Sequence, residues 1–420
     1  MYRKNFYLAG RGVGLSQLVF SLLATIVGAS STIGLMSFAY AVGLPAALWL
    51  IFRSLGLFLL SLCYSGFFSK DDNYTISEFL GKRYGIEVKK IASWAIFLSW
   101  IGVIAAQILA LKELIGVFIP AAPSVPTVLV ITIFLAAYTL IGGQRAVIVT
   151  DRVQLLLLIS GLLAINFVFI KRLGCNCINI GSDYINFPVN SRFSMSELLY
   201  LGSVLIPVYF IGPDIHSRIF CSRDKRVIKK ALKITALILL PLSLLIVFPA
   251  LMLHGAPVFS GPTDVLNLFF NQLIDFRPAF YLFLVALIST LLSSADSCLM
   301  TSATIFTHDI LNLHRDRDVL YTRITIFSIA LLAFVLSFYF KDIISLLKAS
   351  YSIYTSGVFI PFLLIPFKDR LKIKNRAVFI SMLVSGSIGI VSVFSGFKIG
   401  VICSYLASGV VICILSYLKK

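Results

Sequence analysis

The chain reads as an all-α membrane protein of about twelve transmembrane helices, arranged as two inverted five-helix repeats whose first and sixth crossings are broken. Three observations predict this: an apolar composition, apolar runs of membrane-spanning length, and two interruptions at matching places in the order of runs. Of the 420 residues 59% are hydrophobic and 13% are charged, and the mean hydropathy is +0.97. A soluble domain is about half apolar and about a quarter charged. Water is not the main solvent for such a chain.

Windows of about 19 residues find apolar segments at 14–44, 46–67, 89–119, 124–141, 147–170, 195–213, 229–254, 279–310, 321–340, 343–366, 377–395 and 399–418. Each approaches the length needed to cross about 30 Å of hydrocarbon as a helix. Their near-continuous apolarity argues against the alternating strands of an outer-membrane barrel. The expected organisation is a single membrane domain over 1–420, with 14–170 and 195–366 as the two repeats and 377–418 as two additional helices. Met1–Gly14 carries basic residues, but no small-residue cleavage site follows the first apolar run. That run therefore reads as a mature helix rather than a signal peptide.

The net charge of +18 does not point to nucleic acid, because the basic residues form short clusters between apolar runs rather than one tail or stripe. With the N-terminus placed inside, 27 of the 36 Lys and Arg residues fall on the inner side and eight on the outer, with Arg53 inside a helix. The bias predicts cytoplasmic N- and C-termini in a cell inner (plasma) membrane, the lipid bilayer being the obligatory partner. The seven cysteines are scattered, with only Cys175 and Cys177 close together, and read as inert thiols.

Polar residues inside apolar segments carry the functional signal, because an unpaired polar group in hydrocarbon is costly. The first segment is interrupted by Gly28-Ala29-Ser30-Ser31-Thr32, the sixth by Pro207 and by Gly212-Pro213-Asp214. Interruptions at equivalent places in two halves point to a midplane binding site, the bland alternative being kinks packed by small residues. In the eighth segment Thr290, Ser293, Ser294 and Ser297 fall at i, i+3, i+4 and i+7, on one helix face, with Asp296 beside them. Hydroxyls there, with carbonyls freed near Ala24 and Val27, suit an alkali cation; alternatively the hydroxyls bond back to their own helix.

Arg53 lies seven residues into the second segment, about 10 Å deep at about 1.5 Å per residue. A guanidinium at that depth faces a cavity, snorkels to the interface, or pairs with an internal acid such as Asp296; its planar fork suits a carboxylate. Asp151, near the inner end of the fifth segment, either handles a cation or pairs with Arg152 or Arg145. The histidines His216, His254, His308 and His314 sit near segment ends, and no HExxH, GxSxG or Walker pattern occurs. They read as structural, and neither an enzyme nor an organic cofactor is expected.

Five motifs occur in order: Phe6-Tyr7-Leu8-Ala9-Gly10-Arg11; Glu78-Phe79-Leu80-Gly81-Lys82-Arg83-Tyr84-Gly85; Gly142-Gly143-Gln144-Arg145-Ala146-Val147 with Thr150-Asp151 and Gln154; Arg218 with Ser222-Arg223-Asp224-Lys225; and Ser293-Ser294-Ala295-Asp296-Ser297. In these the chain resembles the sodium:solute symporter family, whose members include bacterial proline, pantothenate, sialic acid and sugar symporters. The resemblance implies a LeuT-type fold and sodium-coupled import of a small organic solute by alternating access, with Na+ as coupling ion. It matches the family's common sodium site to Ala24, Val27, Thr290, Ser293 and Ser294, and its fifth-helix aspartate, on a release path or second sodium site, to Asp151. Substrate contacts of relatives match Ser30, Ser31, Arg53, Gln107 and Tyr209. It also places Arg218 in the loop after the sixth segment.

The departures from the family also inform. Ser30 and Ser31 replace the first-helix carboxylate and amide of sugar transporters, and Ile26 stands where proline-type relatives carry an acid. Arg53 stands where a neutral polar side chain serves sugar-transporting relatives, so the expected solute is anionic, a carboxylate. Proton coupling, loss of transport on the same fold, and a multi-pass membrane enzyme are the competing readings.

Overall fold

The computed structural model describes residues 6–67, 74–119, 125–173, 181–222, 224–253, 262–313, 318–340 and 342–417. The expectations for Cys175, Cys177, Arg223, His254 and His314 lie outside the described residues. Among the described residues the regular structure is helical, with no strand. Ten helices are long and apolar enough to cross a membrane, and an eleventh crossing is a pair bent by 77° at a break. The segment expected at 124–141 contributes the shorter apolar helix Val125–Ala137.

The first crossing is α1 (Leu15–Ile26) and α2 (Ile33–Val42), joined through a short turn at Ala29–Ser31. The second is α3 (Leu48–Phe67), followed by the amphipathic α4 (Ile76–Tyr84) and the third crossing α5 (Ile86–Phe118). The fourth and fifth expected segments form one helical run, α6 (Val125–Leu173), kinked at Gly143 with φ 58°. Glycine is required at that kink: the φ is left-handed and an added Cβ would lie 2.7 Å from the Phe6 ring.

The sixth crossing is α7 (Met195–Ile211) and α8 (Pro213–Ile219), separated by the single residue Gly212. Pro213, which has no N–H to leave unsatisfied, opens α8 at its first turn. The crossing thus runs to Ile219 rather than ending at 213, and it is far straighter than the first. Apart from one turn of helix at Ser182–Ile185, the remaining α-helices are α9 (Lys225–Met252), α10 (Pro262–Leu273), α11 (Arg277–Thr304) with a π turn through Ile310, α12 (Asp318–Leu336), α13 (Ile343–Leu363), α14 (Asn375–Ser395) and α15 (Gly400–Tyr417). Side-chain caps open some of the crossings: Ser194 and Glu197 form a capping box on α7, and Asp342 accepts the Ser345 N–H at 2.7 Å on α13.

Burial sorts the crossings into an interior and a shell. The most apolar window is 78% buried in the third crossing and 72% in the eighth, against 33% in the ninth and the last. The third and eighth therefore line the centre, while side chains such as Leu237, Val391 and Phe394 face outward, where a bilayer solvates them. α11 packs along α6 and α9 along α3, so the two broken crossings are held between continuous helices.

Candidate functional site

Breaking a helix in hydrocarbon leaves backbone N–H and C=O groups without partners, and these must be satisfied by side chains. At the first break Arg53 from α3, Gln107 and Thr32 share that demand. One of its terminal nitrogens donates to the Ile26 carbonyl at 3.0 Å and to Ser31 Oγ at 2.6 Å; the other donates to Ser30 Oγ at 3.0 Å. Gln107 Oε1 from α5 accepts the Ala29 N–H at 3.1 Å, and Thr32 Oγ1 donates to the Gly28 carbonyl at 3.0 Å. The Arg53 guanidinium is stacked between the rings of Trp49 and Tyr209, at 4.7 and 4.9 Å from their centroids.

Sequence reasoning grouped Ser30, Ser31, Arg53, Gln107 and Tyr209, and the fold brings these five together, all buried. It does not support either competing reading of Arg53. The side chain is 0% exposed, so it does not snorkel, and among the described residues no carboxylate, Asp296 included, lies within ion-pair distance of it.

Next to this break lies the hydroxyl face of α11, and its four residues divide. Thr290 Oγ1 donates to the Ala286 carbonyl at 2.9 Å and Ser297 Oγ to the Ser293 carbonyl at 2.7 Å, the back-bonding alternative. Ser293 and Ser294 instead reach across to other helices. Ser294 Oγ is directed at the Ala24 carbonyl, 3.5 Å away in the last turn of α1, and Ser293 Oγ donates to Asp151 Oδ1 at 2.6 Å. The approach of α1 to α11 is set by Gly28, where an added Cβ would lie 2.2 Å from Ser294 Oγ. The five residues matched to the sodium site, Ala24, Val27, Thr290, Ser293 and Ser294, are all buried, and Ser294 joins the eighth crossing to the first at Ala24.

The arrangement around Asp151 corrects two expectations. Its ion-pair partner is neither Arg152, which lies over the Phe20 ring, nor Arg145, which is exposed. The partner is Arg218, with Nη2 at 3.7 Å from Asp151 Oδ2 and both side chains 0% exposed. Arg218 is therefore not a loop residue: it sits on α8 and also donates to Ser297 Oγ on α11. Reading the restart at Pro213 as a helix, rather than as the end of one, would have carried it inside.

At the second break His216 Nε2 lies 3.1 Å from the Phe210 carbonyl, and Tyr354 OH donates to the Val208 carbonyl at 3.3 Å. His216 thus lies against a carbonyl at this break. Beyond Arg218 a narrow cavity is lined by Tyr7, Tyr74, Gln144, Ser217, Thr301 and Thr304. Past it, at the end of the eighth crossing, Asp309 pairs with Lys89 at 3.1 Å, accepts from Thr75 Oγ1 at 2.5 Å, and lies 3.0 Å from His308 Nδ1.

The sequence pattern of the sodium:solute symporter family matches residues 6–385. A sodium/glucose cotransporter from Vibrio parahaemolyticus is 28% identical over 163 residues, a stretch that is 38% of this chain and 29% of that protein. Among solved structures, a Na+-coupled sialic acid symporter in a substrate-bound outward-open state superposes with a TM-score of 0.83 at 18% identity, over 100% of this chain and 93% of the other. MhsT in complex with L-phenylalanine superposes with a TM-score of 0.61 at 15% identity, over 93% and 98% of the two chains. At such identities the likeness is one of fold, and it is the LeuT-type fold that the family resemblance implies.

Proposed function

The chain belongs to the sodium:solute symporter family, and from that membership we propose that it imports a small carboxylate-bearing solute, driven by sodium, through alternating access. Membership places it among transporters rather than enzymes. In this reading the sodium ion takes carbonyl oxygens of Ala24, Val27 and Thr290 and the hydroxyls of Ser293 and Ser294. The support is the junction itself, where two hydroxyls do not bond back to their own helix: Ser294 is directed at the end of the broken α1, and Ser293 donates to Asp151. Hard oxygen donors of this kind suit an alkali cation. Asp151 and the hydroxyl-lined cavity beyond Arg218 form the release route, closed at its end by the Lys89–Asp309 pair. The bias of basic residues supports cytoplasmic termini in an inner membrane.

The anionic solute rests on one observation: Arg53 is a fully buried cation with no carboxylate within ion-pair distance among the described residues. A buried charge with no counter-ion in contact is costly, Asp214 acting on Arg53 only from beyond ion-pair distance, and a carboxylate bound beside Ser30, Ser31, Gln107 and Tyr209 would supply that contact. Arg53→Gln is therefore expected to weaken the acid by roughly 10- to 100-fold, the worth of a charge-assisted hydrogen bond, while its amide or ester changes far less. Competition for uptake measures the ratio. Equal losses for acid and amide would assign Arg53 to holding the helix break alone, and a neutral sugar as the transported solute would sink the anionic reading.

A further inference from the structure

The first of the five motifs, Phe6-Tyr7-Leu8-Ala9-Gly10-Arg11, takes no part in the ion junction or the solute contacts, yet Phe6, Tyr7 and Leu8 are buried. Its two ends are held by different helices. At one end the Phe6 ring lies over the α6 kink, where an added Gly143 Cβ would meet it at 2.7 Å, and the Tyr7 hydroxyl is 2.7 Å from Thr322 Oγ1 on α12. Thr322 Oγ1 is in turn 3.0 Å from Thr307 Oγ1 in the π turn that ends the eighth crossing. At the other end Gly12 bridges to Ser222, and the Val13 N–H donates to the Cys221 carbonyl at 3.2 Å, just past α8. The segment thus ties the end of a broken crossing to α6 and α12.

Between these anchors the backbone is left-handed at three successive residues, Ala9, Gly10 and Arg11, with φ of 47°, 69° and 59°. That conformation is unfavourable for residues with a side chain and persists where the surroundings hold it. The same segment borders the narrow cavity beyond Arg218. Tyr7 lines that cavity together with Ser217, Thr301 and Thr304, and the free space is about 10 Å³, the least that holds a water. Ser217 Oγ accepts from Arg218 Nη1 at 3.1 Å, which connects the cavity to the Asp151–Arg218 pair.

We propose that residues 6–12 form a strap across the inner end of the release route, with the Tyr7 ring as its plug and the Tyr7–Thr322 hydrogen bond as its latch. Opening at that end moves one group of helices against the other, and a strap pinned to both has to let go of one. Past Gly12 and Val13 the chain runs directly into α1, so the end that lets go is the one at Tyr7. The left-handed turn favours that departure, because freeing one end relieves Ala9 and Arg11. This rests on the release route proposed above, and it adds a movable element to a closure otherwise given by the Lys89–Asp309 pair.

Thiol modification of the purified full chain in detergent tests the strap, with the seven native cysteines replaced by alanine and Thr304→Cys as a reporter in the cavity wall. A water-soluble maleimide is expected to modify this reporter slowly. Tyr7→Phe or Thr322→Val, each of which removes one hydroxyl of the latch and keeps the packing, is expected to speed modification about three- to tenfold, the worth of one hydrogen bond. Tyr7→Ala, which removes the plug, is expected to speed it further. Ser385→Cys, at a fully buried place on α14, serves as the control for general loosening and is expected to keep its rate. A Thr304→Cys rate unchanged by all three variants overturns the strap, and so does an equal acceleration at Ser385→Cys. The route is read separately, from sodium-driven uptake of labelled monocarboxylates, amino acids and sialic acids by Thr304→Cys proteoliposomes before and after modification. Loss of uptake on modification supports both readings, whereas uptake that survives full modification overturns the route while the maleimide rates still decide whether the segment covers the cavity.

Discussion

Arg218→Ala is expected to abolish uptake and to destabilise the folded protein by about 3–5 kcal/mol, the cost of leaving a buried charge without its partner. The expectation follows from burial: Asp151 and Arg218 are both 0% exposed and 3.7 Å apart. Asp151→Asn strands the guanidinium in the same way, although Arg218 keeps its bond to Ser297. Removing both charges is a different matter, since a buried pair replaced as a unit costs little. The double variant Arg218→Ala, Asp151→Asn should therefore regain most of the thermal stability lost by Arg218→Ala, while uptake stays low because the release route has lost its acid. Thermal unfolding in detergent reads the stability and proteoliposome uptake reads the function. An Arg218→Ala protein as stable as wild type would show that the pair does not carry the contact between α8 and α6.

The second large effect is expected at a residue with no side chain. Gly28→Ala should raise the sodium concentration for half-maximal uptake by about tenfold or more, from the 1–3 kcal/mol typical of overpacking a tight site. The new Cβ would meet Ser294 Oγ at 2.2 Å and Ser294 Cβ at 2.6 Å, so the end of α1 has to retreat from α11. Retreat separates the Ala24 carbonyl from the Ser294 hydroxyl, the two groups that span the junction. Insertion should survive, since Arg53 and Gln107 still hold the break from the other side. Sodium activation curves measured on Gly28→Ala check this, and an unchanged curve would place the ion elsewhere.

Much of this was legible in the sequence because a bilayer turns burial into a one-dimensional property. Apolar run length located the crossings, and Gly, Ser and Pro clusters located both breaks. A 3.6-residue period put Thr290, Ser293, Ser294 and Ser297 on one face. What the period cannot say is which hydroxyl has a neighbour to reach, and that depends on the helix opposite. Ser293 and Ser294 meet Asp151 and Ala24, while Thr290 and Ser297 bond back to their own helix. Arg218 was hidden for another reason: it stands four residues from a basic run, and a hydropathy window averages the two together. The signal that survived averaging was local. Proline in a first helical turn marks a helix starting at 213, and five residues of helix beyond it carry Arg218 inward. The 77° bend of the first crossing against the straighter sixth was likewise outside the reach of composition, because both are written with the same small residues.

Solute accumulation under an imposed sodium gradient tests the central claim most directly. Purified protein in proteoliposomes is given an inward sodium gradient and a panel of labelled monocarboxylates, amino acids and sialic acids, with the Ser293→Ala, Ser294→Ala variant alongside. The account predicts that at least one carboxylate accumulates above equilibrium with sodium outside and not with potassium, and that the double variant loses this accumulation at the same sodium concentration. Accumulation driven equally well by a proton gradient without sodium, or unchanged in the double variant, would contradict it.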